Sequence, residues 1–152
     1  MRPPIISQRI LLIQDDADAA KTIIEALAQS RDAPFKVEWV RRCSEGLEML
    51  DGIGAILVDL NLPDSRGIET FDRVYLGAAG IPILILTNSS DESTAKLAVQ
   101  CGAQDYLFKS RIDAYLLPKT LGSMIERATY AEALLRGKSA RRSLSTRSAT
   151  RS

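Results

Sequence analysis

Residues 55–59 read Ala55-Ile-Leu-Val-Asp59, four apolar residues that run directly into an acid. Two other segments have the same form: Ile10-Leu-Leu-Ile13 leads into an amide and two acids at 14–16, and Ile81-Pro-Ile-Leu-Ile-Leu86 leads into a hydroxyl. A short apolar run without polar alternation is typical of a strand that is buried on both faces of a parallel sheet. These three segments therefore predict the central strands of an α/β domain.

Segments with helical spacing of apolar residues alternate with the strands. Asp16 or Asp18 is expected to cap the first helix, and Ser44 is expected to open the second. Five strands that alternate with five helices predict a doubly wound parallel sheet with an extended C-terminal helix. The predicted strands lie at 10–13, 35–40, 55–58, 81–86 and 105–108, and the predicted helices lie at 17–29, 44–51, 67–76, 91–101 and from a start between 113 and 118.

Charge is distributed unevenly along the 152 residues. Residues 136–152 contain six Lys and Arg and no acid, which leaves 14 basic against 19 acidic residues in the rest of the chain. The composition of this Ser- and Arg-rich segment predicts a disordered tail or linker, and the acidic remainder disfavours nucleic-acid binding by the domain itself. No apolar run is long enough to span a membrane and the first residues lack a secretion signal, so a cytoplasmic location is expected.

The residue types exclude several kinds of site. Histidine is absent, and Cys43 and Cys101 form no CxxC pair, so His-based zinc sites and histidine triads are ruled out. Carboxylates, hydroxyls and lysine remain, and they follow the carboxyl ends of the predicted strands. These ends meet at one edge of a parallel sheet, where ligands bind.

The side chains at this edge predict phosphoryl chemistry. Clustered carboxylates favour Mg²⁺, which takes oxygen ligands, and a carboxylate can attack phosphorus to form an aspartyl phosphate. Asp59 follows a central strand and is the expected nucleophile, with Asp15 as a metal ligand. Lys109 is expected to pair with the phosphoryl group, and Thr87 to donate a hydrogen bond to it.

Four motifs occur in a fixed order along the chain. They are the acidic turn at 14–16, Val58-Asp-Leu-Asn-Leu-Pro63 followed by Gly67, Thr87 after an apolar strand, and Gly102-Ala-Gln-Asp-Tyr-Leu-Phe-Lys109. Over residues 8–130 the chain thereby resembles the receiver domain of bacterial two-component response regulators. The resemblance implies a flavodoxin-like sheet with strand order 2-1-3-4-5.

The resemblance also implies a function. Asp59 would accept a phosphoryl group from the phosphohistidine of a sensor histidine kinase or phosphotransfer protein, and Mg²⁺ would be held by Asp15, Asp59 and the backbone carbonyl of Asn61. The domain would be a signalling domain that catalyses its own phosphotransfer and dephosphorylation, not an enzyme with a separate substrate. Phosphorylation would draw Thr87 inward, Tyr106 would follow, and the face of helix four, strand five and helix five would change.

Three positions depart from the family pattern. Gln14 stands where the first of two acids is usual, so weaker Mg²⁺ binding is expected unless Asp16, a further candidate ligand, turns into the pocket. Ser110 follows Lys109 where proline in a cis peptide is common, and because a cis bond before a non-proline residue costs about 3–4 kcal/mol, a trans bond is expected. Asn88 replaces a small residue and is expected to narrow access to the phosphoryl group.

Alternatives remain open at this point. A pseudo-receiver, which keeps the fold as a protein-interaction module without phosphorylation, is favoured by Gln14 and by the missing proline. A phosphatase-like hydrolase is less well supported, because Asn61 occupies the position where a second acid is usual. The predicted boundaries are a receiver domain at 8–130 and a helix extension with a basic tail or linker at 131–152. The extension is expected to pack in a homodimer or to lead to a downstream output domain.

Overall fold

The computed structural model describes residues 8–30 and 35–149, with the backbone alone for residues 136–149. The N-terminal residues in which a secretion signal was sought lie outside the described ranges. The strands of the main sheet are β1 (Gln8–Ile13), β2 (Phe35–Val40), β3 (Ala55–Asp59), β4 (Ile83–Thr87) and β5 (Asp105–Phe108). The helices are α1 (Ala17–Ala28), α2 (Cys43–Leu47), α3 (Ile68–Ala78), α4 (Glu92–Gln100) and α5 (Leu116–Ala149).

The main sheet is parallel, with the strand order β2-β1-β3-β4-β5. This confirms the predicted doubly wound, flavodoxin-like fold. β3 and β4 are fully buried, as continuous apolar runs predict. β4 begins two residues later than predicted, because Pro82 has no N–H to donate to a neighbouring strand, although its carbonyl accepts a hydrogen bond from Ile56 N.

Each face of the sheet has its own apolar cluster. One cluster packs α2, α3 and α4 against the sheet and includes Phe71. The other packs α1 and α5 against the opposite face and includes Leu12 and Leu57. Successive strand residues alternate between the two clusters, as the period-two geometry of a strand requires. The sheet is therefore held rigidly on both sides, and its edge provides fixed positions for polar side chains.

Helix starts are set by polar groups in the adjoining loops. Asp16 is the N-cap of α1 and accepts a hydrogen bond from Asp18 N, so the choice left open between these two acids is resolved in favour of Asp16. α3 begins after Gly67, whose φ of 68° lies in the left-handed region that favours glycine. The Gly67 N–H donates to the Leu60 carbonyl, which closes the loop that follows β3.

The C-terminal helix extends further than the composition predicted. α5 begins at Leu116, within the predicted interval, and its backbone stays helical to Ala149. The Ser- and Arg-rich segment from residue 136 was expected to be disordered, but the structure differs because it adds turns to an existing helix and so avoids the cost of nucleation. Among the helices of residues 8–30 and 35–149, none combines the length and the hydropathy of a membrane span.

Asp64 caps α2 from a distant part of the chain. Its two carboxylate oxygens accept hydrogen bonds from Cys43 N at 2.9 Å and Ser44 N at 3.0 Å. Desolvation acts to raise the pKa of Asp64, but the hydrogen bonds from Ser44 and Cys43 outweigh it and the pKa is lowered. The ionised carboxylate is therefore the form that stabilises the start of α2.

Asp64→Asn will lower the free energy of unfolding at neutral pH by about 0.5–1 kcal/mol, the lower part of the range for a lost cap because the carboxylate is solvent-exposed. The pKa of Asp64 is lower in the folded state than in the unfolded state. The difference in free energy of unfolding between wild type and Asp64→Asn is therefore complete above pH ~4, and it is lost as the pH falls through the folded pKa. Urea denaturation from pH 7 to pH 3 measures this. Asp72→Asn, an exposed acid on α3, is the control, and an equal loss in both variants would contradict the capping role.

Candidate functional site

The site lies at the edge of the sheet where β1, β3, β4 and β5 end. Asp59 is the last residue of β3 and Thr87 is the last residue of β4, and each is only 4% exposed. Lys109 follows β5 directly. The parallel arrangement brings these strand ends to one edge, so the Lys109 and Asp59 side chains meet although they are 50 residues apart in the sequence.

Asp59 is held by an ion pair and a backbone hydrogen bond. Lys109 Nζ lies 2.6 Å from Asp59 Oδ2, and Asn61 N donates to Asp59 Oδ1 at 2.8 Å. A buried carboxylate is costly unless it is paired and hydrogen-bonded, and both requirements are met here. Two of the predicted strand-end residues are therefore in contact, with a cation beside the Asp59 carboxylate.

Thr87 and Asn88 line the same edge. The Thr87 hydroxyl donates to the Asn88 carbonyl at 3.1 Å, and so it is engaged with the backbone of its own loop. The Asn88 side chain is exposed, and its Oδ1 accepts from the Ser90 hydroxyl at 3.1 Å. This bond holds the amide of Asn88 over the Ser89–Asp91 turn that leads into α4.

The turn after β1 separates its three polar residues. Asp15 and Asp16 are exposed, and Asp16 is engaged in capping α1 and does not turn into the pocket. Gln14 is 1% exposed, and its Oε1 accepts from Asp16 N at 3.1 Å. Within residues 8–30 and 35–149 there is no group of three or more Asp, Glu, Cys or His that could hold a metal ion. A cation here would depend on two carboxylates and backbone oxygen.

Residues that sequence reasoning did not assign to the site border it. Trp39 Nε1 donates to the Gln14 carbonyl at 2.7 Å, and the Arg41 guanidinium lies 4.8 Å from the Trp39 ring centroid. On the other side, Asn61 Nδ2 donates to Asp91 Oδ2 at 3.0 Å and joins the loops that follow β3 and β4. These contacts depend on the β1–β2 register and on loop closure, so the spacing of residues in the sequence does not predict them.

Tyr106 lies in β5 and is linked to α4. Its hydroxyl donates to Glu92 Oε2 at 3.0 Å, and its ring meets the Phe108 ring edge-on at 5.8 Å. The side chain is partly buried and packs against the cluster that contains Phe71. Tyr106, the predicted switch residue, is therefore hydrogen-bonded to α4, and a change in its position would have to break this bond. The Lys109–Ser110 peptide is trans, as expected.

Glu92→Gln will lower the pKa of Tyr106 toward the ordinary tyrosine value. The hydrogen bond to Glu92, followed by burial and by the charges of Glu92 and Asp105, raises the pKa of Tyr106, because ionisation would break that bond and place a phenolate beside carboxylates. Phenolate absorbance titration measures the change, with Tyr106→Phe subtracted to isolate this tyrosine from the others. An identical titration curve in Glu92→Gln and wild type would contradict the contact.

Comparison with known proteins agrees with this geometry. A family model described as the response regulator receiver domain matches residues 10–120. The cell cycle transcriptional regulator CtrA of Caulobacter vibrioides is 36% identical over 103 residues, which cover 66% of this chain and 43% of CtrA. The swarming motility regulation protein RssB of Serratia marcescens is 32% identical over 102 residues, which cover 66% of this chain and 45% of RssB.

The matched region therefore spans less than half the length of these two curated relatives. Among solved structures, a CheY-like response regulator receiver domain protein from Methanospirillum hungatei superposes with a TM-score of 0.70 at 20% identity, covering 83% of this chain and 99% of that one. That similarity supports the fold. Since the family match extends from β1 into α5 and includes every strand end that carries the site, this chain belongs to the response regulator receiver domain family.

Proposed function

We propose that this chain is a phosphoacceptor switch in two-component signalling. Asp59 takes a phosphoryl group from the phosphohistidine of a sensor histidine kinase or phosphotransfer protein. The observation that carries the proposal is the partly buried Asp59–Lys109 ion pair, 2.6 Å long, at the edge of the sheet. It supports the proposal because a carboxylate that could act as nucleophile lies against a cation that could bind the phosphoryl oxygens.

The transfer is a displacement at phosphorus. An oxygen of the Asp59 carboxylate forms the new P–O bond while the P–N bond of the donor phosphohistidine breaks, and the electron pair leaves with the imidazole nitrogen, which binds a proton. Lys109 stabilises the charge that accumulates on the phosphoryl oxygens. Hydrolysis of the aspartyl phosphate by water then restores the carboxylate and releases phosphate.

The residues at this edge fit a bound Mg²⁺, although fewer acids are present than the family pattern has. Asp15, Asp59 and the backbone carbonyl of Asn61 would hold the ion, and Mg²⁺ commonly keeps several of its waters as ligands. Asp16 is left out of this set, because its carboxylate caps α1. When bound, the ion supplies positive charge for the oxygens of the transferring phosphoryl group.

The switch runs from the site to the α4–β5–α5 face. The Thr87 hydroxyl would have to leave the Asn88 carbonyl to reach a phosphoryl oxygen, and this movement would free space next to β5. Tyr106, adjacent in β5, would turn into that space and give up its bond to Glu92 on α4. A new charge-assisted hydrogen bond at one end thus biases a packing change at the other.

We propose further that the receiver domain occupies residues 8–130 and acts in the cytoplasm, where its kinase partner would present the phosphohistidine. Leu134 and Leu135, on the part of α5 that follows the domain, are 51% and 67% exposed. These exposed apolar side chains favour contact with a second copy of the chain or with an output domain. Light scattering with and without phosphorylation distinguishes the two partners, since only the first doubles the mass.

Intact-mass spectrometry after incubation with acetyl phosphate and Mg²⁺ tests the proposed function. The expected result is one adduct of about 80 Da that requires both Mg²⁺ and the Asp59 carboxylate. Asp59→Asn, which keeps the shape of the side chain, is expected to show no adduct. Asp51→Asn is the matched control, because Asp51 is an exposed acid in the turn before β3.

An unmodified wild-type protein at high Mg²⁺, or an adduct that persists in Asp59→Asn, would overturn the proposal. In the first case the pseudo-receiver interpretation takes its place. In the second case a different residue accepts the phosphoryl group.

A further inference from the structure

Gln14 has a buried hydrogen-bond donor without a partner. The side chain is 1% exposed, and its Nε2 finds no acceptor among the described residues. Buried polar groups in native proteins are almost always hydrogen-bonded, so an exception calls for a specific explanation. Here the unpaired donor lies at the one position where an acid of the family pattern is replaced by an amide.

The orientation of the Gln14 amide is determined by its other contact. Asp16 N donates to Gln14 Oε1 at 3.1 Å, and a backbone N–H can donate only to the oxygen of an amide. The amide therefore cannot be rotated to exchange its nitrogen and oxygen. The oxygen is taken up by the turn after β1, and the NH₂ group is the part available to a ligand.

The strand register makes Gln14 the lateral neighbour of Asp59. Ile13 of β1 pairs with Val58 of β3, so Gln14 and Asp59 are the next residues of two adjacent strands. Leu12 and Leu57, two positions earlier, both belong to the cluster that packs α1 and α5, and period-two alternation puts Gln14 and Asp59 on that same face. Neighbouring strands are about 4.8 Å apart, so a group bound to Asp59 lies within reach of the amide.

We propose that Gln14 Nε2 donates a hydrogen bond to the phosphoryl oxygens carried by Asp59, an inference that rests on the function proposed above. An N–H donor attracts an oxyanion and contributes nothing to binding a cation, whereas a carboxylate at this position would do the reverse. This pocket therefore stabilises the phosphoryl group partly with a neutral donor and depends less on a tightly held cation. Gln14 is the residue that determines this balance.

Two variants separate the donor from the charge. Gln14→Glu keeps the length of the side chain and an oxygen for Asp16 N, but replaces the donor with a carboxylate. Gln14→Met keeps the length and removes the donor without adding charge. Urea denaturation of each variant establishes that it is folded before any other measurement.

Mg²⁺ titration provides a readout that does not depend on phosphorylation. Trp39 is the single tryptophan of the chain, and its indole N–H donates to the Gln14 carbonyl, so its fluorescence reports on this turn. The dissociation constant for Mg²⁺ is expected to fall about tenfold in Gln14→Glu, because a third carboxylate joins the site, and to stay within about twofold of wild type in Gln14→Met. An unchanged constant in Gln14→Glu would overturn the placement of this side chain in the pocket.

Phosphoryl uptake from acetyl phosphate at saturating Mg²⁺ tests the donor itself. We expect Gln14→Met to take up the phosphoryl group about 10- to 100-fold more slowly than wild type, since one donor to the transferring group is lost. Equal rates would overturn the inference while leaving the proposed function intact. If wild type shows no uptake at all, the proposed function fails and the inference that rests on it fails too, whatever the Mg²⁺ titration shows.

Discussion

Lys109→Met will slow phosphoryl uptake by Asp59 about 10²-fold, the effect typical of removing one donor to a developing oxyanion. Lys109 Nζ lies 2.6 Å from Asp59 Oδ2 and is the cation in direct contact with the proposed nucleophile. Methionine preserves most of the length and the apolar stem of lysine, so the variant removes the charge with little loss of packing. Intact-mass measurements at timed intervals after addition of acetyl phosphate and Mg²⁺ give the rate.

Removal of the cation will also affect stability. The Asp59 side chain is 6% exposed, and without Lys109 its buried charge keeps only the hydrogen bond from Asn61 N. The loss of a partner for this buried group is expected to lower the free energy of unfolding by about 1–3 kcal/mol, and the urea midpoint with it. The rate of phosphoryl uptake must therefore be measured under conditions in which the variant is folded.

Lys36→Met is the matched control for this experiment. Lys36 is an exposed residue of β2, near the opposite edge of the sheet from Asp59. Its substitution removes the same charge from the molecule without touching the site. If the two variants slow uptake equally, the effect is one of overall charge and the role assigned to Lys109 is wrong.

Phe71→Ala is expected to cause the largest loss of stability, about 3–5 kcal/mol. Phe71 is completely buried in the cluster that packs α2, α3 and α4 against the sheet, and its ring lies 5.3 Å from the Tyr75 ring. Truncation to alanine removes the transfer free energy of the ring and leaves a cavity that the parallel sheet cannot collapse to fill. Equilibrium urea unfolding, followed by circular dichroism, measures the difference.

Leu76→Ala provides the comparison on the same helix. Leu76 is 83% exposed, so its truncation removes little buried surface and should change the free energy of unfolding by less than about 0.5 kcal/mol. A loss near that of Phe71→Ala would mean that Leu76 is packed against another part of the molecule, because alanine is a better helix former than leucine and helix propensity cannot cause the loss. A small loss in both variants would contradict the assignment of Phe71 to the core.

Much of the architecture was accessible from the chain alone. The central runs of β1, β3 and β4 are continuously apolar, and this pattern is typical of a strand that is covered on both faces. Element boundaries were less accurate, as with β4, because they depend on which backbone N–H groups find a neighbouring strand. The length of α5 was underestimated, since composition describes an isolated segment and not a helix that continues from a packed one.

The candidate site was also predicted from the sequence only in part. Asp59, Thr87 and Lys109 were predicted from their positions at strand ends, and the contact between Asp59 and Lys109 is present in the structure. Whether Asp16 would cap α1 or turn into the pocket could not be decided in advance. Capping of α1 engages Asp16, and this choice depends on the geometry of a single turn.

The amino-acid sequence by itself determined the fold class, the strand ends that carry polar groups and the replacement of an acid by Gln14. Each of these follows from local pattern. Burial on two faces requires continuous apolar runs, and the replacement of an acid by glutamine can be read directly from the sequence. The tertiary structure decided which polar groups are paired. Register and loop closure decide the hydrogen bonds of Asp64 to the start of α2, of Tyr106 to Glu92 and of Trp39 to Gln14. They also leave the Gln14 Nε2 without a partner. Hydrogen bonds need atoms placed to within a few tenths of an ångström, and only the packed sheet brings residues distant in sequence to such positions.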